Sequence, residues 1–585
     1  MKLSTLLDAS VRRDPDKEAL VYGTERVAYR DLRDRALRAA SVLRANGIEA
    51  GDTIGIMTFN VPGFVYAAFG AWYLGATVVP VNHKMQPPEV AYTIGHSKAK
   101  LGIVSAELAE IARTGAPDIP WLATESEEPE SFDAQLAAAT PADPAELADF
   151  DDEAVAQVLY TSGTTSAPKG CIHPHRNIAQ VAMLIALNMG YRADDRFLIC
   201  MPIWHSAPLN ISLMPMMLVG GTVVLQREYH PVESMKILAA ERITTFFGPT
   251  IAYVAPILTA KKLGIDFSSY DFSTVRRWTY GGAPIDRETA KMLIDSYGTD
   301  QFYNLFGMSE MGPTGCLLPP EDQVRKAGSV GRAAMVGNEM RVVKADGTEA
   351  GPGETGEIWF SGDCRMRGYL DNPAATEAAF EGDWYRSGDV ARIDEDGYLY
   401  IVDRMKDVII VGGENVYSLE VEEAIIAHPD VVDVAVVGRP DPEWGEQVVA
   451  VVTTADGAEL DVETLRALED VDTVVFNRVG TLAKPKMFIE SVTALEGESE
   501  EMVLRIAGAL SMESSHPASR ALVHGAREAR SQSDDDPHMP VRYELVSMDQ
   551  HPSGDMAGRI SMIYVDEEGH ETATQVDAEL WRPVN

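Results

Sequence analysis

The sequence predicts an α/β protein built around a mostly parallel sheet, followed by a smaller α/β unit and a tail of different character. Three observations carry that prediction. From about residue 17 to residue 400, helical segments alternate with short β-branched runs, the pattern of strands joined by crossover helices. The 585 residues allow roughly four domains and a large buried core. Hydrophobic residues make up 45% and charged residues 24%, as in an ordinary globular chain rather than a disordered or fibrous one.

Taken in order, the runs at 53–57, 76–81, 101–104 and 222–225 read as strands. Residues 64–81 are apolar enough to suggest a membrane span. Gly70, Gly75, Pro80 and the Thr77-Val78-Val79-Pro80-Val81 ending favour instead a buried helix running into a strand. Residues 116–152 are rich in Glu, Asp, Pro and Ala and read as a solvated surface excursion ahead of a buried strand at 154–160. Residues 401–460 read as a compact unit with a strand at 407–411, a helix at 418–427 and strands near 431–437 and 447–453. A hinge to the large domain is expected near Arg404. After about residue 465 the composition changes, with an acidic Ser-rich linker at 531–536 and a β-rich end. No internal repeat occurs at solenoid periods.

Acidic side chains outnumber basic ones by 89 to 50, a net charge of −39. So negative a surface repels phosphate backbones and anionic lipid, which argues against nucleic acid or membrane as the main partner and otherwise reads as solubility. The chain reaches charged residues too soon for the apolar core of a secretory leader, so a cytoplasmic protein is expected. Cys171, Cys200, Cys316 and Cys364 lie far apart without CxxC spacing, which points to reduced thiols rather than disulfides or a zinc site.

The most informative segment follows the strand at 154–160: Tyr160-Thr161-Ser162-Gly163-Thr164-Thr165-Ser166-Ala167-Pro168-Lys169-Gly170. Small hydroxylated residues and glycines let backbone N–H groups and hydroxyls surround a polyphosphate, and Lys169 supplies a mobile positive charge. The segment lacks the Gly-Lys-Ser/Thr ending of a Walker A loop, and by composition alone a plain turn is an equal alternative. The full string resembles the phosphate loop of the adenylate-forming superfamily of acyl-CoA synthetases, peptide-synthetase adenylation domains and luciferases.

Further motifs stand in that family's order. Met201-Pro202-Ile203-Trp204-His205 resembles the segment whose histidine borders the acyl pocket. Tyr280-Gly281-Gly282-Ala283-Pro284 is similar to the loop that packs on adenine, where absent side chains let a flat base approach the backbone. Tyr303-Asn304-Leu305-Phe306-Gly307-Met308-Ser309-Glu310 resembles the motif whose carboxylate holds Mg²⁺, with Phe306 in place of the usual tyrosine. Tyr385-Arg386-Ser387-Gly388-Asp389 is similar to the motif whose aspartate accepts from the ribose hydroxyls. Asp403-Arg404-Met405-Lys406-Asp407 resembles the inter-domain hinge, and Val411-Gly412-Gly413-Glu414-Asn415-Val416-Tyr417 the loop that lines the pantetheine tunnel. Singly, Asp389 also fits a turn residue, Glu310 a solvated carboxylate and Gly412-Gly413 a hairpin. Their common order over residues 10–460 carries the resemblance.

The resemblance implies a large multi-sheet adenylate-forming N-terminal domain at 1–402, a small hinged α+β C-terminal domain truncated to 403–465, and an atypical α/β tail at 466–585. It implies ATP, Mg²⁺ and coenzyme A, a small carboxylic acid as substrate, and AMP-forming ligation of that acid to the thiol. It admits a homodimer. Lys169, His205, Glu310 and Lys406 are the implied catalytic residues, and Glu310 and Thr165 the metal contacts. The implied cofactor-binding residues are Thr161, Ser162, Gly163, Thr164, Thr165 and Lys169 at the phosphates, Gly281, Gly282, Ala283 and Pro284 against the base, and Asn304, Phe306, Gly307, Met308 and Ser309 in the motif that carries the magnesium carboxylate. Asp389, Arg404, Gly412 and Gly413 complete that set. Trp204, the Met-rich run at 213–217, Leu305 and Thr314 are expected near the acyl pocket, although the methionines serve equally as core filler. His173, His175 and His230 lack motif context and are expected on the surface or at helix caps.

The family pattern then fails. Its late glycine-lysine turn, whose lysine bridges the acyl carboxylate and the α-phosphate, is not found after residue 465, and Lys484-Pro485-Lys486 is a faint substitute. Residues 466–527 resemble instead the phosphorylation strand and nucleotide-domain element of heavy-metal P-type ATPases, with Asn477 where the phosphorylated aspartate belongs. An amide is neither that nucleophile nor a charge for magnesium, so ion transport is excluded. Two other readings stay open beside the ligase: adenylation with an acceptor other than coenzyme A, and a non-catalytic binder of nucleotide or acyl-adenylate.

Overall fold

The computed structural model describes residues 1–161, 167–411, 414–426, 428, 431–441, 445–454, 542–550, 556–565 and 571–580. The chain forms two compact units, Met1–Lys406 and Asp407–Asn585. Ser162, Gly163, Thr164, Thr165, Gly412, Gly413, the stretch at 466–527 and the linker at 531–536 lie outside the described residues.

Two sheets of the first unit are parallel through their middles. One has six strands in the order Trp121–Thr124, Leu101–Ser105, Thr53–Met57, Thr77–Pro80, Val155–Thr161, Lys169–Pro174, and only its last pair is antiparallel. The other has eight, from Gly315–Leu318 and Phe302–Gly307 through Arg277–Tyr280, Thr245–Gly248, Arg196–Ile199 and Thr222–Leu225 to Glu18–Tyr22 and Glu25–Ala28, antiparallel only at its two ends. A third sheet departs from the expectation of one mostly parallel sheet. Its path runs Ser329–Gly331, Leu399–Arg404, Trp384–Ile393, Thr355–Gly362, Asn338–Val343, with every pair antiparallel. Parallel strands need long crossovers, whereas hairpins need only tight turns, and between 338 and 404 the sole α-helix among the described residues is the seven-residue Pro373–Ala379.

The apolar stretch after Val61 is the helix Pro62–Leu74, all of whose residues are buried, and it continues through Gly75 into the strand Thr77–Pro80. It packs on the helix Tyr29–Ala45 so closely that a Cβ on Gly70 would stand 2.7 Å from the Ala39 Cβ. Among the described residues, no helix is long and apolar enough to cross a membrane. Met214, Met216 and Met217 are fully buried in the main core.

The solvated excursion expected at 116–152 is corrected. Its residues Trp121–Thr124 form an edge strand of the six-stranded sheet, and the helix Phe132–Ala138 buries Phe132 and Leu136. Three large apolar side chains suffice to anchor a segment that is otherwise acidic.

In the second unit, Glu414–Val416, Ile409–Val411, Gly445–Thr454 and Val431–Asp441 form an antiparallel sheet in that order. The helix Ser418–Ile426 contributes Val421 and Ile425 to a core with Ile409, Val436 and Val452. Arg542–Gln550, Met556–Val565 and Glu571–Leu580 form a three-stranded antiparallel sheet, the β-rich end expected from the sequence.

Candidate functional site

Four segments singled out in the sequence leave the carboxyl ends of strands in the two largely parallel sheets. Thr161 closes Val155–Thr161, Met201–His205 follows Arg196–Ile199, Gly281 follows Arg277–Tyr280, and Met308 follows Phe302–Gly307. Such ends are where open α/β sheets bind ligands, because side chains from successive loops converge there without disturbing the ladder. The strand-to-loop step at Gly281 admits no side chain, since a Cβ would lie 2.5 Å from the Leu305 carbonyl. Gly282, Ala283 and Pro284 are exposed beyond it.

Glu310 sits on the one-turn helix Ser309–Met311, which is braced from several sides. The buried His173 donates from Nε2 to the Ser309 carbonyl at 2.7 Å, and the Ser206 and Ser309 hydroxyls are 2.9 Å apart. The Met366 N–H donates to the Glu310 carbonyl at 2.6 Å. The Tyr369 hydroxyl donates to Glu310 Oε1 at 2.9 Å, and Lys169 Nζ lies over the same tyrosine ring, 4.9 Å from its centroid. Lys169 and Tyr369 meet because residues 367–370 run along the strand Lys169–Pro174. The Ile172 N–H donates to the Gly368 carbonyl at 2.9 Å and the Leu370 N–H to the Gly170 carbonyl at 2.8 Å. Asn304, also buried, spends its amide on the Ser329 carbonyl at 3.1 Å and so ties the eight-stranded sheet to the antiparallel one.

Asp389 faces Arg404 across two neighbouring strands of that antiparallel sheet, with Oδ1 3.2 Å from the guanidinium Nε. Burial pushes its carboxyl up to about 6; Arg404 opposes that rise and Glu310 adds to it, so the two carboxylates share one electrostatic environment. Glu357, buried beneath, accepts from the Gly388 N–H at 3.0 Å and from Arg386 at 3.2 Å. Lys406 is exposed and ends the first unit.

His205 borders a small cavity of about 30 Å³ lined by Met85, Leu159, Tyr160, Trp204, Ser206 and Ser309 among others. The protein packed around His205 lowers its pKa, although part of the residue still reaches solvent. Trp204 is held by a hydrogen bond from its indole N–H to His83 Nδ1 at 3.1 Å.

Residues 7–370 match the AMP-binding enzyme family, and residues 420–499 match the AMP-binding enzyme C-terminal domain. The chain belongs to the AMP-binding enzyme family. The second match runs past residue 465, where the recognisable motifs stop. A feruloyl-CoA synthase of Amycolatopsis sp is 34% identical over 457 residues, covering 78% of this chain and 89% of that protein. A long-chain-fatty-acid–CoA ligase of Mycobacterium tuberculosis is 34% identical over 75% of this chain and 85% of its own. Among solved structures, the o-succinylbenzoate–CoA synthetase of Bacillus subtilis in complex with its acyl-adenylate intermediate superposes with a TM-score of 0.72 at 25% identity, covering 81% of this chain and 94% of that one.

Within this family member, Lys169, Glu310, Asp389 and Arg404 gather in the first unit, linked through Tyr369 at one end and the shared carboxylate field at the other. His205 joins them through Ser206 and Ser309. Three of the supporting residues carry no motif signal. Tyr369 and Glu357 fall in none of the motifs singled out in the sequence, and His173, expected at the surface or at a cap together with His175, is fully buried, as is His175. Burial lowers the pKa of His173 to about 4, which keeps it neutral. His175 accepts the Leu3 N–H, and only His230 caps a helix, Pro231–Ala240.

Proposed function

We propose that the protein activates a carboxylic acid with ATP and passes the acyl group to coenzyme A. In the first step an acid oxygen attacks the α-phosphorus, the bond to the bridging oxygen breaks and pyrophosphate leaves. In the second, the thiol sulfur attacks the acyl carbon, loses its proton, and AMP departs. The observation that carries this reading is the coupling of a phosphate-loop cation to a lone carboxylate: Lys169, which opens the edge strand of the six-stranded sheet, and Glu310, just past a strand of the eight-stranded sheet, touch different parts of Tyr369.

Lys169 neutralises phosphate charge, Asp389 accepts from the ribose hydroxyls, Arg404 faces the nucleotide, and Gly281 to Pro284 with Phe306 lie against the base. His205 borders the reacting carboxylate, held by the cavity wall. Among the described residues, no group of three or more His, Cys, Asp or Glu side chains forms a self-contained metal site. A single carboxylate next to phosphate oxygens is the donor set Mg²⁺ uses, so Glu310, with Thr165, fits that ion. Bound there, Mg²⁺ supplies charge neutralisation on the phosphates. Lys406 at the end of the first unit is the hinge pivot, and Gly412 and Gly413 belong to the loop that the family resemblance assigns to the pantetheine arm of the thiol. Four buried free cysteines support a reducing, cytoplasmic setting, and a homodimer remains part of this reading.

The test is pyrophosphate release with MgATP over a panel of aliphatic and aromatic acids, with and without coenzyme A, using Glu310→Ala as control. Release requiring both acid and Glu310 supports adenylation, and thioester formed only with coenzyme A supports the acceptor. Supplying preformed acyl-adenylate isolates the second step. Thioester from adenylate without pyrophosphate release from acid would assign the missing glycine-lysine turn a cost in the first step alone, and silence in both would overturn the enzyme.

A further inference from the structure

We propose that Tyr369 is a positioning residue that sets the metal-binding carboxylate with its hydroxyl and the phosphate-loop lysine with its ring face. The inference rests on the reading of Glu310 as the magnesium ligand and goes beyond it to a residue that no motif marks.

The hydroxyl donates to Glu310 Oε1 at 2.9 Å. A carboxylate on a one-turn helix can rotate about its side-chain bonds, and one fixed donor on Oε1 holds it in a single orientation, in which its remaining lone pairs would be open to a cation. The ring face does something different. Lys169 Nζ stands 4.9 Å from the ring centroid, where the negative face of the aromatic quadrupole attracts an ammonium without consuming any of its three donors. All three N–H groups stay available to phosphate oxygens. One side chain thus separates two opposite charges and addresses each with the part of the ring that suits it.

Its own placement is over-determined. Tyr369 is buried, its N–H donates to Thr376 Oγ1 at 2.9 Å, and its backbone bridges Cys171 on the strand that begins with Lys169.

The test uses the full-length protein with Mn²⁺ as a paramagnetic substitute for Mg²⁺, its binding in the presence of ATP followed by electron paramagnetic resonance. ATP affinity without metal is measured separately by calorimetry in EDTA. Tyr369→Phe keeps ring and volume and loses the hydroxyl; we expect Mn²⁺ affinity to fall about tenfold, the scale of a hydrogen bond to a charged group, with metal-free ATP affinity unchanged. Tyr369→Leu loses both, and metal-free ATP affinity is expected to fall about threefold as well. Phe then rescues the ATP defect of Leu but not its metal defect, a split that a purely structural role would not produce. Wild-type Mn²⁺ affinity in Tyr369→Phe, or equal ATP affinities in the Phe and Leu variants, overturns the proposal. Glu310→Gln separates the premise: if it binds Mn²⁺ as the wild type does, Glu310 is not the ligand and the proposal falls with that reading. If Glu310→Gln loses Mn²⁺ and Tyr369→Phe does not, the proposal falls alone.

Discussion

Glu310 is held in place by neutral groups, a phenol on its carboxylate and a buried imidazole and backbone N–H around its turn, whereas Asp389 is held by a charge, the guanidinium of Arg404. The two acidic ends of the candidate site are therefore supported by different physics. Neutral hydrogen bonds to a fixed frame are indifferent to salt and to pH near neutrality. An ion pair whose arginine is 58% exposed is screened by salt, and it opens when the carboxyl protonates. The contrast suits the proposed chemistry, in which one end keeps a metal ligand poised while the other exchanges an internal partner for ribose hydroxyls.

The largest effect belongs to the neutral end. Glu310→Gln retains an acceptor for Tyr369 but removes the charge, and pyrophosphate release at saturating MgATP is expected to fall about 10²- to 10³-fold, as when one aligned charge-stabilising group is lost. Its thermal midpoint should stay close to that of the wild type, because the brace survives. A loss of less than tenfold would place the metal elsewhere and erase the contrast.

The charged end should reveal itself through pH. Asp389 has its folded pKa raised to about 6 from an ordinary 3.8, so between those values the native state keeps a proton that the unfolded chain has released. The stability contributed by this residue is full below about pH 4 and is lost as pH rises to about 6, a swing of about 3 kcal/mol. Asp389→Asn removes that swing, so urea melts from pH 4 to pH 7 should show the variant gaining on the wild type by up to that amount. A difference that stays constant across this range would mean that Asp389 titrates as an exposed aspartate and that burial plays no part.

Much of the site was legible because its chemistry is local. Gly281 and Glu310 each follow a strand end and Asp389 lies within a strand, each inside a short run whose neighbours in sequence are neighbours in space. Tyr369 was not legible, since it reaches Glu310 across 59 positions, nor was His173, which reaches Ser309 across 136. Neither the run around Tyr369 nor that around His173 points to a partner so far away in the sequence. The same reasoning explains the misreading of 116–152, where Trp121, Phe132 and Leu136 are too few to show a periodicity yet large enough to anchor a strand and a helix. The antiparallel third sheet was hidden because its strands, partly exposed, lack the continuous apolar runs of the other two.

Neutral support recurs beneath the site, where the contrast can be sharpened without touching a reacting group. Gln157, on the strand that ends at Thr161, and Asn210, five residues after His205, exchange reciprocal amide hydrogen bonds of 3.1 and 3.0 Å and are both fully buried. Gln157→Leu strands the Asn210 amide and should cost about 1–3 kcal/mol. The double variant with Asn210→Leu should recover part of that loss, because no polar group is then left unpaired. Additive losses in chemical denaturation would show that the pair is not coupled and that its geometry is incidental.

The smallest expected effect lies at Phe306, where the family's usual tyrosine is absent. Its ring sits in the strand Phe302–Gly307, tilted 39° against Phe360 with centroids 6.3 Å apart, and is partly buried. The aromatic plane is thus retained while the hydroxyl is not, which makes this position neutral support with one donor removed. Phe306→Tyr adds that donor. A single neutral hydrogen bond nets about 0.5–1.5 kcal/mol, so the KM for ATP should fall by about two- to tenfold, with the rate at saturation unchanged. A change confined to that maximal rate would place the ring against the reacting phosphate rather than the base, and would move the neutral end of the site one residue closer to Glu310.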